Sequence, residues 1–324
     1  MPLKIVADDN IAFATDFFAP LGGVRLLPGR ELSAADVQDA DVLLVRSITR
    51  VNAALLAGSA VKFVGSCTIG SDHVDTDWLA EQGITYACAP GCNAQAVVDY
   101  VCAVLEALAV PAHQRVGVVG CGNVGGALLQ HLREAGRPCC GYDPLLIDSD
   151  LPLVSFEQIL ACDVICLHTP LTRSGAFPTW HLFDAAVIAQ IKAGTVLLNA
   201  GRGAVIDSAA LLQRLHTRND LRVVLDVWEN EPNINTELLA RVAIGTPHIA
   251  GYSFEGKLRG TQMVYEALCR FLACEAKAPS VGAAAPSQRK KYDPRTDDAR
   301  LRAAFACEGA TAFDRLRKDY LPRL

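Results

Sequence analysis

Four polar residues stand where short apolar runs give way to glycine or proline. "TVLLNAGRGAVID" carries Arg202 between two glycines, "VVLDVWENEP" carries Asp226 and then Glu231, and "GTPHIAG" carries His248. Taken singly, Arg202 reads as a surface charge, Glu231 as a solvated loop acid and His248 as a packed core imidazole. Together they are a reaction set, because ligands of parallel sheets bind outside the carboxyl ends of the strands. A neutral imidazole can take a hydroxyl proton near neutral pH. A carboxylate on its other ring nitrogen selects the tautomer and stabilises the imidazolium. An arginine fork holds a substrate carboxylate more specifically than lysine can. The chemistry that uses all three is oxidation of a 2-hydroxy acid, with the hydroxyl proton going to histidine and the C2 hydride to an acceptor.

An acceptor site stands upstream. "RVGVVGCGNVGGALLQHL" places Gly120, Gly122 and Gly125 in GxGxxG spacing after an apolar strand, with Asn123 and Val124 opening a helix. The first glycine permits a tight turn, the second lets backbone approach a pyrophosphate, and the third lets helix pack on strand. Free N–H groups at the helix start favour the pyrophosphate. "RPCCGYDP" ends in Asp143, near the spacing of about 20 residues expected for an acid that binds the ribose 2′-hydroxyl. That acid repels a 2′-phosphate, so the expected cofactor is NAD. A methyltransferase can carry a similar loop, so the loop alone leaves the reaction open.

The elements that must position these residues are legible as alternating short strands and amphipathic stretches. Candidate strands are 3–7, 42–46, 61–65, 84–87, 116–120, 164–168, 195–199 and 223–226. Val97, Val101, Val104, Leu105 and Leu108 recur at helical spacing within 94–109. Such alternation specifies an α/β fold of right-handed βαβ units. "ACAPGCNAQ" (87–95) and the Ala/Pro-rich stretch 276–294 mark boundaries. The expected organisation is a discontinuous substrate domain, 1–92 with 253–272, a Rossmann domain at 93–252, a linker at 273–295 and a C-terminal segment at 296–324. The last segment carries one amphipathic stretch, too small to own a core, which must dock on the body of the protein or on a second subunit.

Composition agrees. Half of the 324 residues are hydrophobic, and the formal charge of −5 argues against an obligate nucleic-acid binder. No signal peptide or membrane-spanning run is evident, which points to the cytoplasm. The twelve cysteines lack CxxC spacing. They read as reduced thiols, many of them buried, and not as a metal site or a disulfide framework.

The stretches "APGCNAQAVVDYV", "HTPLT", "NAGRGAVID", "LDVWENEPNIN" and "GTPHIAGYSFEGKLRG" resemble the D-isomer-specific 2-hydroxy acid dehydrogenase family. The resemblance spans nearly the whole chain to about residue 270 and resumes in the tail. It implies two Rossmann-like or flavodoxin-like doubly wound parallel-sheet domains around a cleft, with a short C-terminal extension. It further implies that Arg202 binds the substrate carboxylate, Glu231 pairs with the imidazole, and His248 is the acid–base. Gly120, Gly122 and Asp143 would hold the adenosine half of NAD, with Thr169, Asp226 and Gly251 nearer its other end. Ser47 and Thr68 would contact substrate from the first domain, joined by Tyr252, with Arg46 as a further anion holder. Without the resemblance, Ser47 and Thr68 read as loop-capping hydroxyls. Lys257 and Arg259 divide evenly between function and a solvated helix face. The implied partners are a small phosphorylated hydroxy acid and a second copy of the chain. A sibling acting on phosphoglycerate or glyoxylate, or an NAD-sensing protein without turnover, would carry the same motifs. Two features depart from the family: Gly201 stands where cysteine or serine usually precedes the arginine, and the tail is shorter.

Overall fold

A computed structural model describes residues 2–147, 149–277, 279 and 292–320. Most of the linker expected at 273–295 therefore lies outside the described residues. The chain forms two compact units, one from residues up to Asn93 together with the stretch from Tyr252, the other from Ala94–Gly251 together with the tail helices.

The first unit holds β1 (Leu3–Asp8), β2 (Gly22–Leu27), β3 (Val42–Val45), β4 (Phe63–Ser66) and β5 (Thr85–Cys88). They are all parallel, in the order β2-β1-β3-β4-β5. Every residue of β3 and β4 is buried, as parallel strands covered on both faces require. The helix Phe254–Phe271 returns to this unit and brings Val264, Tyr265 and Leu268 against Ile5, Phe17 and Phe63. β2 escapes a search for apolar runs because it is an edge strand whose sequence, GGVRLL, leaves much of its length to solvent.

The second unit holds β6 (Val116–Val119), β7 (Cys139–Tyr142), β8 (Val164–Leu167), β9 (Val196–Asn199), β10 (Arg222–Leu225) and the two-residue β11 (Ile244–Gly245). These too are parallel, in the order β11-β10-β9-β8-β6-β7. A single parallel bridge from Gly141 to Leu153 adds a rudimentary strand beyond β7. With it the order is that of the dinucleotide-binding sheet, whose winding reverses between β6 and β8. In sheets of this order, ligands bind outside the strand ends at that reversal.

The amphipathic tail forms two helices. Gly309, at φ 61, divides it into Pro294–Glu308 and Ala310–Lys318. Leu301 and Phe313 enter the same core as Leu225 and Trp228. Asp298 Oδ1 accepts the Gly245 N–H of edge strand β11 at 2.7 Å, so the tail covers an otherwise open sheet edge. Among the described residues no helix is long and apolar enough to cross a membrane. All twelve cysteines are free thiols, and only Cys274 and Cys307 are exposed.

Candidate active site

The glycine loop follows β6 and leads into the helix Asn123–Glu134. Gly120 has φ +84, and a Cβ there would lie 2.8 Å from Thr169 N, so both backbone conformation and crowding require glycine. A Cβ on Gly125 would lie 1.9 Å from Gly120 O, the close packing of helix on strand expected of the third glycine. Gly125→Ala is therefore expected to destabilise the protein by about 3 kcal/mol, read as a lower urea midpoint. At Gly122 a Cβ would meet nothing within 4 Å. No side chain caps this helix, so its first N–H groups, at Asn123 and Val124, keep their positive end for an anion. Asp143 Oδ2 accepts the Cys121 N–H at 2.9 Å, which ties the end of β7 to the loop. Thr169 Oγ1 is buried beside Gly120 without a hydrogen-bond partner. An orphaned hydroxyl next to an uncapped helix start and an open glycine is what a dinucleotide would complete. The residues present fit NAD.

The loops after β9 and β10 and around β11 carry the reactive set. His248 Nδ1 and Glu231 Oε2 are 2.8 Å apart. The other carboxylate oxygen of Glu231 accepts the Trp228 N–H at 2.8 Å. Burial alone would push the Glu231 carboxyl up, but the His248 ring, Arg317 and the Trp228 N–H outweigh it and hold the carboxyl below its ordinary value. An ionised carboxylate can only accept, so Nδ1 must carry the hydrogen and a neutral His248 keeps its lone pair on Nε2. The residue itself sits at φ 55, a left-handed conformation that histidine rarely adopts.

Asp226 holds that conformation. Its backbone carbonyl accepts the His248 N–H at 2.8 Å. Its carboxylate accepts the N–H groups of Ile249 and Ala250 at 2.8 and 3.0 Å and the Thr246 hydroxyl at 2.6 Å. Thr246 Oγ1 is in turn 2.8 Å from Tyr100 Oη. Asp226 is thus placed as the anchor of the His248 loop, with most of its acceptor capacity used there.

Asn199 at the end of β9 organises the arginine. Its amide donates to Arg202 O at 2.9 Å, and its Oδ1 accepts the Gly201 N–H at 3.0 Å. A Cβ on Gly203 would fall 2.0 Å from Trp228 C, so the arginine loop packs directly on the loop that leads to Glu231. At Gly201 a Cβ would meet Thr169 O at 3.0 Å, leaving little room for the side chain usual at this position. Gly251 closes the second unit half-buried.

The first unit gathers its own candidates. Arg46 Cζ lies 5.3 Å and Lys257 Nζ 4.7 Å from the ring centroid of Tyr252. Thr68 Oγ1 is 3.0 Å from Ser66 Oγ, which is 3.2 Å from His73 Nε2. Ser47 is exposed. Three further residues of the quoted stretches support the site without an assignment from sequence. Asn199, Thr246 and Tyr100 act through hydrogen bonds, and Tyr100 meets Thr246 from 146 residues away. His168 opens the stretch "HTPLT" after β8. Both its ring nitrogens are buried without partners, and burial pushes its pKa down to about 4, so it is neutral.

Comparison with known proteins agrees with this geometry. Residues 107–250 match the family described as D-isomer specific 2-hydroxyacid dehydrogenase, NAD binding domain. The chain is 49% identical to an erythronate-4-phosphate dehydrogenase of Cellvibrio japonicus, with 98% of this chain and 92% of that protein aligned. It is 50% identical to one of Teredinibacter turnerae, covering 99% and 89%. In fold it is similar to an NAD-bound 3-phosphoglycerate dehydrogenase of Entamoeba histolytica, with TM-score 0.73 at 22% identity, covering 86% of this chain and 99% of that one. It is also similar to a D-lactate dehydrogenase of Aquifex aeolicus complexed with NAD and lactic acid, with TM-score 0.71 at 21% identity, covering 83% and 96%.

Proposed function

Because the chain belongs to the D-isomer specific 2-hydroxyacid dehydrogenases, NAD-dependent oxidoreductases, and within them to the erythronate-4-phosphate dehydrogenases, we propose that it oxidises 4-phospho-D-erythronate at C2. The product is 2-oxo-3-hydroxy-4-phosphobutanoate, and the reaction serves pyridoxal 5′-phosphate synthesis. The observation that carries this reading is the 2.8 Å bond between His248 Nδ1 and Glu231, whose loop packs against that of Arg202.

Arg202 holds the substrate carboxylate and steadies the carbonyl oxygen as it develops. His248 takes the C2 hydroxyl proton at Nε2, while Glu231 stays ionised and stabilises the imidazolium. The Asp226 carboxylate, by fixing the backbone at 248–250, keeps the ring from drifting off line. NAD bound at the Gly120–Gly125 loop supplies the acceptor for the C2 hydride. Thr68 and Ser47 position the hydroxylated chain, Gly251 lines the nicotinamide end, and Thr169 satisfies its buried hydroxyl on the cofactor.

Asp143 sets the cofactor preference. Asp143→Asn keeps an acceptor for the Cys121 N–H but removes the charge, so kcat/KM with NADP relative to NAD should rise about tenfold. Steady-state kinetics with both cofactors reads this ratio. The reading also places the protein in the cytoplasm as a homodimer. Leu301 and Phe313 are committed to the core of their own unit, and sedimentation velocity measures whether a dimer forms. The substrate assignment is tested by kcat/KM on 4-phospho-D-erythronate, 3-phospho-D-glycerate and D-lactate. The first is expected to exceed the others by about 100-fold. Equal values, or a preference for one of the other two, would replace it with a sibling activity.

A further inference from the structure

Resting on the reading of the substrate as a phosphorylated 2-hydroxy acid, we propose that Arg46 and Lys257, both held against the ring of Tyr252, form the seat of the substrate's phosphate group. Lys257 is thereby a substrate-binding and specificity residue.

Two cations converge on one buried aromatic ring, at 5.3 Å and 4.7 Å from its centroid. Each alone gains from the ring quadrupole, but together they repel. Among the described residues no ion pair engages either of them, and the side-chain hydrogen bond of Arg46 is a long one, 3.4 Å to Asn10 O. Asp8, the acid whose charge acts on Arg46, is a poor counter-ion. Burial pushes its carboxyl up, and its Oδ2 is buried with no partner. Lys257 is half-buried. Burial first, and then Arg46, push its ammonium down to about 8. Such a cluster is costly by itself and relieved by an arriving anion.

The anion can be specified by charge. A phosphate monoester carries about −1.5 to −2 near neutral pH, enough to balance two cations. The substrate carboxylate, with one charge, is already matched by Arg202. Lys257 also lies in the first turn of the helix Phe254–Phe271, whose N-terminus adds positive potential. Ser253 Oγ caps only the Gly256 N–H there, and the one acid of that turn, Glu255, is exposed. A guanidinium fork and an ammonium point charge are the two cationic side-chain forms most used to hold phosphate.

The test measures kcat/KM of the wild type, Arg46→Met, Lys257→Met and Lys257→Arg on 4-phospho-D-erythronate and on D-erythronate, which lacks the phosphate. The ratio between the two substrates should fall at least about tenfold in Arg46→Met and Lys257→Met, mainly through KM of the phosphorylated one. Lys257→Arg should keep most of the ratio. An unchanged ratio, with or without equal losses on both substrates, would overturn the proposal. If the wild type oxidises neither compound, the functional reading fails by itself. The seat is then judged by calorimetry with inorganic phosphate. Binding by the wild type that is lost in Lys257→Met upholds it, and wild-type protein that binds no phosphate overturns it.

Discussion

His248→Asn is expected to lower kcat by about 1000-fold, within the range for loss of a positioned general base, while NADH still binds. Asparagine is the informative replacement because it tolerates the left-handed backbone, φ 55, that His248 adopts. Alanine would add backbone strain to the chemical loss. The carboxylate of Asp226 would still hold the N–H groups of Ile249 and Ala250, so the loop should survive. The dinucleotide loop at Gly120–Gly125 does not depend on the imidazole. Stopped-flow turnover with fluorescence titration of NADH separates the two effects. Turnover within a few-fold of wild type would remove His248 from the proton step.

Glu231→Gln is expected to cost about as much, some 100- to 1000-fold in kcat, by a different route. The wild-type carboxylate can only accept, which keeps the hydrogen on Nδ1 and the lone pair on Nε2. A glutamine amide can donate to Nδ1 and so favours the other tautomer, in which Nε2 carries the hydrogen and cannot act as base. The imidazolium would also lose the negative charge 2.8 Å from its ring. Substrate KM should change far less than kcat, because the lost interaction is strongest in the transition state. Acidification supplies an independent readout. The Glu231 carboxyl is held below its ordinary value by His248, Arg317 and the Trp228 N–H against the opposing effect of burial. Its contribution to stability is therefore complete above the ordinary carboxylate range and is lost as pH falls through the depressed folded value. Urea midpoints measured downward from neutral pH should fall more steeply for the wild type than for Glu231→Gln. Parallel profiles would mean that the carboxylate is not depressed in the folded protein.

Much of this was readable from residue types because function and punctuation coincide. Gly120, Gly125 and Gly203 are forced by backbone geometry or close packing, and such positions show in the sequence as glycines at set distances after apolar strands. Arg202, Glu231 and His248 follow strand ends, where parallel sheets expose side chains to a ligand. The opposite holds for residues whose role depends on distant partners. The carboxylate of Asp226 anchors the His248 loop through Thr246, Ile249 and Ala250, a role that no local pattern announces. Nothing local links Tyr100 to Thr246. Lys257 divides evenly between function and a solvated helix face until Tyr252 and Arg46 are seen beside it. β2 was hidden by the tolerance of edge strands for exposed residues, and β11 by its two-residue length. The apolar spacing of the tail continues across Gly309, so only the backbone at that glycine shows where one helix ends and the next begins.

The most direct measurement follows the hydride itself. The protein is mixed with NAD and 4-phospho-D-erythronate deuterated at C2, and the nicotinamide product is examined by absorbance and mass spectrometry. Reduced nicotinamide carrying one deuterium, formed together with the 2-oxo acid, is the expected result. Absence of reduced nicotinamide, or reduced nicotinamide without the label, would contradict hydride transfer from C2 of this substrate.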